Sequence, residues 1–149
     1  MKEIVQRLNH WIGNLQREFR TKTEIELSVR PSPNKWSKKE IVGHLCDSAV
    51  NNMERFIKIQ YEDQPFLFQP YNQDQWVQLH NYQDRPVEDV LELFCCLNNQ
   101  IIHIIQNIPE ERLSLLCQLN NKEQRTFEWL IKDYLNHMEH HITKHILAG

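Results

Sequence analysis

The chain has 149 residues, 17 of them Lys or Arg and 20 Asp or Glu, for a formal net charge of -3. That length suits a single domain over residues 1–149 with a packed core, and the interspersed charge excludes the basic tract of a nucleic-acid binder. With neither the h-region of a signal peptide nor an apolar run of membrane-spanning length, the expectation is a soluble, cytoplasmic protein with no membrane or nucleic-acid partner.

Four long segments have helical periodicity. The first runs from about Lys2 to Arg20, with Ile4, Leu8, Ile12, Leu15 and Phe19 at spacings of three and four. The second opens on "SKKE" (Ser37 to Glu40), a capping box with serine at the N-cap and glutamate three residues on. Ile41, Leu45, Phe56 and Ile59 mark its apolar face to about Tyr61. The third starts near Pro86, a residue suited to a first helical turn. Val87, Leu91, Phe94, Ile101, Ile105 and Ile108 carry it to Pro109. The fourth opens at Thr126, an N-cap residue type, and continues through Phe127, Leu130, Ile131, Tyr134, Met138, Ile142 and Ile146.

Only three glycines are present, too few for a turn-rich sheet protein, and the six prolines fall between the helical segments. The expected fold is therefore all-α, a four-helix bundle. All three connections (21–36, 62–85 and 109–125) are long enough for crossovers, which suggests up-up-down-down connectivity; the last can also hold a hairpin. The 62–85 connection carries Phe66, Phe68, Tyr71 and Trp76. So many aromatics in a loop predict that it packs over one end of the bundle and takes part in function. Cys46, Cys95, Cys96 and Cys117 form no CxxC pair and read as free, mostly buried thiols.

Two helices turn polar where their core-facing stripe should be apolar. In the fourth, His137 and His141 stand at stripe positions, four residues apart, hence about 40° around the axis and about 6 Å along it. Two imidazoles at that spacing can share a metal ion. His140 and His145 are less well aimed. In the second, His44, Ser48 and Asn51 share a face at i, i+4 and i+7, flanked by Asp47. Burying such groups unpaired costs on the order of 1–3 kcal/mol each. His44, His137 and His141 together would give three nitrogens and an open fourth position, the pattern of a catalytic zinc, nickel or iron site. Asp47, Ser48 and Asn51 would orient ligands or substrate. Cys46 lies about 200° around the helix from His44 and reads as packing. A plainer reading also fits the pattern: His44 bonded within its own helix and the other two histidines facing water.

"WSKKEIVGHLCDSAVNNMERF" (Trp36 to Phe56), "PYNQDQW" (Pro70 to Trp76) and "FEWLIKDYLNHMEHHITKHI" (Phe127 to Ile146) together resemble the DinB-like superfamily. The resemblance is nearest to its branch of metal-dependent hydrolases that includes bacillithiol transferases. It implies a homodimeric four-helix bundle with a divalent metal (zinc or nickel, with iron or manganese as alternatives) on His44, His137 and His141. His140 matches a frequent neighbour of the last ligand and His145 matches none. Met53 and Ala49 stand where relatives can carry polar residues. The implied activity is thiol S-transfer or hydrolysis on a small electrophilic substrate, with a low-molecular-weight thiol as cosubstrate. The alternative is a non-catalytic bundle that binds a metal or small molecule in a stress response.

Overall fold

Hydrogen-bonded caps set the start of two of the long helices in the computed structural model, which describes residues 1–148. The four are α1 (Lys2–Arg20), α3 (Lys38–Lys58), α5 (Val87–Gln106) and α6 (Phe127–His141). The Ser37 hydroxyl accepts from the Glu40 N–H, and the Glu40 carboxylate accepts from the Ser37 N–H, so the predicted capping box caps α3. Thr126 caps α6 through the Trp129 N–H. Pro86 is the residue before α5, not its first turn. Beyond His141, α6 loosens into a π-turn over Ile142–Ile146.

The apolar stripes bury as one core, from Leu8 and Leu15 of α1 through Phe56, Phe94 and Ile101 to Leu130 and Leu135. Helix α3 packs against α5 and α6, and α1 packs against the same two. The four-helix bundle is as expected, but its helix directions are not. Glu24, just past the end of α1, accepts hydrogen bonds from Lys39 Nζ and from the Val87 N–H, so α1 ends where α3 and α5 begin. At the opposite pole Gln60 and Gln64, just past α3, bond Arg112 and the Leu116 N–H, just past α5, and Phe56 meets Phe127 at the start of α6. The order is up-down-down-up, in place of up-up-down-down. Three connections all long enough to cross concealed this, because only the one between α3 and α5 traverses the bundle.

That crossover is better built than a loop. It contains strand β1 (Phe66–Leu67), helix α4 (Gln73–His80) and a 3-10 turn at Tyr82–Asp84. The 21–36 connection likewise holds the short helix α2 (Glu24–Leu27), and the 107–126 connection holds the hairpin of β2 (Leu116–Gln118) and β3 (Gln124–Thr126). Strand β1 joins β2 in parallel, completing a small three-stranded sheet. The crossover then runs along α3 rather than over one end of the bundle as its aromatics had suggested. Its Arg85 carbonyl accepts from Lys39, and the Tyr82 ring packs on Gly43. Cys46, Cys95 and Cys117 are buried free thiols, and Cys96 is exposed.

Candidate metal centre

His44 stands two turns into α3, with His137 and His141 one turn apart near the end of α6. Because α3 and α6 are antiparallel, these stretches lie side by side. His44 is fully buried and His137 and His141 are half-buried. One ring nitrogen from each residue falls within 4.8 Å of the other two. His44 Nε2 and His137 Nε2 face each other at 3.3 Å. His44 Nδ1 and His141 Nδ1 are buried without a hydrogen-bond partner.

Burial and the neighbouring imidazoles push His44 down to about 3 and His141 to about 4, and burial also lowers His137. All three rings are therefore neutral at pH 7, the form that ligates metals. Two neutral nitrogens facing at that distance need either a proton or a cation between them. Tetrahedral zinc–imidazole bonds of roughly 2.0–2.1 Å place neighbouring nitrogens about 3.3 Å apart, which is the spacing of the His44–His137 pair, with all three nitrogens within 4.8 Å of one another. The donor set fits a borderline divalent ion such as zinc or nickel. The plainer reading fails, since His44 has no bond within its own helix and its ring meets both α6 histidines. His140 and His145 are exposed and stand beside His141, outside the triad.

The flanking residues divide. Ser48 is buried and lines a cavity of about 190 Å³ that has His137 in its wall. Asp47 is buried but bonds away from the triad. Its Oδ1 accepts from the Tyr82 hydroxyl at 2.7 Å and lies 2.9 Å from His80 Nδ1. Burial pushes its carboxyl above the usual range, against the pull of these two partners. Asn51 departs from the expectation. Its amide turns back to the Asp47 carbonyl of its own helix, and it lines a groove on the far side with Glu54 and Lys58. The face that meets the cavity is instead Ser48, Asn52 and Arg55, at i+4, i+8 and i+11 from His44, an equally helical spacing.

Sequence reasoning also missed Trp36, His80 and Tyr82, and it marked Tyr71 only as one of the aromatics of the 62–85 connection. Trp36 covers the His44 ring at a centroid distance of 4.8 Å. Tyr71 lines the cavity, and burial lifts its phenol to about 12. On the other side of the triad, an open groove of about 740 Å³ has Trp36, Lys38, Asp74, His141 and Lys144 among its walls. The three histidines therefore stand between a small cavity and a broad groove.

The model of the DinB superfamily matches residues 3–143. The chain belongs to that superfamily. Two of its relatives carry the name "Putative metal-dependent hydrolase". BH0277 of Halalkalibacterium halodurans is 25% identical over 119 residues, covering 80% of this chain and 68% of that protein. YfiT of Bacillus subtilis is 22% identical over 139 residues, covering 93% and 78%. The solved YfiT structure, described as an unusual four-helix-bundle topology, superposes with a TM-score of 0.83 over 95% of this chain and 81% of its own. A mycothiol-dependent maleylpyruvate isomerase shares the fold at 9% identity and a TM-score of 0.74, with 59% of its chain covered. No helix among the described residues is long and apolar enough to cross a membrane.

Proposed function

We propose that this protein is a metal-dependent enzyme that transfers a low-molecular-weight thiol to, or hydrolyses, a small electrophilic substrate. The observation that carries the reading is the triad itself: three neutral imidazoles from two helices, one fully buried, with facing nitrogens and no polar partner for two of their Nδ1 atoms. His44, His137 and His141 would hold zinc or nickel. A divalent cation there would lower the pKa of a bound thiol or water, supplying a nucleophile at neutral pH. The chain's own residues do the rest. Trp36 covers one face of the His44 ring at the edge of the open groove. Ser48, Tyr71 and Gln73 offer hydroxyl and amide groups that orient a substrate in the small cavity. The broad groove beside His141 admits a larger cosubstrate. Asp47, held by Tyr82 and His80, positions the crossover against α3 rather than touching the triad. The buried thiols are unsuited as nucleophiles, because burial raises Cys46, Cys95 and Cys117.

Elemental analysis after dialysis tests the reading. About one zinc or nickel per chain is expected, with a drop of at least tenfold in His44→Ala and His137→Ala. A thiol-consumption assay with model epoxides then separates turnover from the non-catalytic alternative. Wild-type protein that retains no divalent metal after reconstitution ends the proposal. A homodimer and a cytoplasmic location accompany it, and sedimentation equilibrium reports the first.

A further inference from the structure

The small cavity holds a feature that metal binding does not use. Arg55 is 8% exposed, yet no carboxylate lies within ion-pairing distance of it among the described residues. Its guanidinium stacks on the Phe68 ring at 4.0 Å, donates to the Gln69 carbonyl at 2.6 Å and reaches Asn52 Oδ1 at 3.4 Å. A guanidinium carries five N–H donors, so the remaining donors have no protein acceptor. Burying a cation without an anion is costly, and burial does pull this guanidinium below its ordinary value. Apart from His137, Arg55 is the only basic residue in the cavity wall. Asp133, exposed, is the only acidic one, and it stands on the α6 turn before His137.

We infer that Arg55 is the recognition site for a single carboxylate on the small substrate, whose reactive end then lies toward His137. A planar fork on an aromatic ring matches a carboxylate, which it can bind through two parallel N–H···O bonds. Asn52 and Ser48, both buried on the same helix face, stand beside it with further polar groups. The cavity of about 190 Å³ admits only a small molecule. The carboxylate of Asp133 stands in the same wall, and its repulsion grows with ligand charge, so a monocarboxylate is penalised less than phosphate or a dicarboxylate. This deepens the proposed function, since the reactive end depends on the metal, but Arg55 itself can be tested without it.

The first measurement titrates the metal-free full-length protein with propionate and with propionamide at constant ionic strength, following the Arg55 Nε–H resonance. Propionate is expected to bind at least tenfold more tightly. Arg55→Gln should abolish the difference, and Arg55→Lys, which keeps the charge without the fork, should retain part of it. Equal binding of the two probes to the wild-type protein overturns the inference and requires no variant to fold. The second measurement loads the protein with zinc and compares 3-mercaptopropionate with 2-mercaptoethanol. A tenfold preference for the carboxylate-bearing thiol, lost in Arg55→Gln, is expected, and equal affinities overturn the link to the metal site. If propionate binds but neither thiol does, the thiol-transfer reading fails and the carboxylate site stands.

Discussion

Replacing Gly43 with alanine sets two effects against each other. Gly43 lies inside α3, where alanine's higher helix propensity gains about 1 kcal/mol. A Cβ at this position, however, would come within 3.0 Å of three ring carbons of Tyr82, with Cε2 at 2.7 Å. Tyr82 is almost fully buried and cannot swing out cheaply, and its hydroxyl is bonded to Asp47. Overpacking costs roughly 1–3 kcal/mol, and losing a hydrogen bond to a charged group costs about 1.5–3 kcal/mol. The net expectation is a loss of about 2–5 kcal/mol. For a chain of this size that lowers Tm by roughly 5–15 °C. Thermal unfolding of the metal-free protein, followed by circular dichroism, measures it. A Gly43→Ala protein that melts at or above the wild-type temperature would refute the close packing of Tyr82 on α3, because propensity alone would then account for the result.

The same contact predicts that Tyr82→Phe, which removes one donor from buried Asp47, costs about 1.5–3 kcal/mol in urea unfolding. For pH, His44 is lowered to about 3, so the folded state stays neutral where the unfolded chain takes up a proton near 6.5. Stability of the metal-free protein should thus fall as pH drops below about 6.5 and go on falling toward the folded value. Between pH 6.5 and 5 His44 alone accounts for about 2 kcal/mol, with smaller screened contributions from half-buried His137 and His141. Urea titrations at the two pH values should show this loss, and His44→Gln should flatten it. Maleimide should label one thiol quickly in the native protein, Cys96, and all four cysteines in guanidinium.

The long helices and the triad were legible in the sequence because they rest on local rules. Apolar spacing marked the helices, Ser37 and Thr126 carried recognisable caps, and His44, His137 and His141 each occupied a stripe position that should have been apolar. Helix direction was not legible, since it depends on which connection crosses the bundle and all three are long. The role of Asn51 was misjudged by one position. An i+7 spacing and an i+8 spacing both lie near the His44 face, and only packing against the crossover selected Asn52. Arg55, His80 and Tyr82 were missed for a related reason. Their importance arises from contacts between α3 and a segment whose path the periodicity of α3 does not encode.

The crossover divides the small cavity into two kinds of wall. Ser48, Asn52, Arg55, Tyr134 and His137 project from bundle helices fixed by the core, whereas Phe68, Tyr71 and Gln73 come from the 62–85 segment. The second wall acts as an exchangeable faceplate. Changes there would alter what the cavity admits while the imidazole cluster, carried on α3 and α6, keeps its geometry.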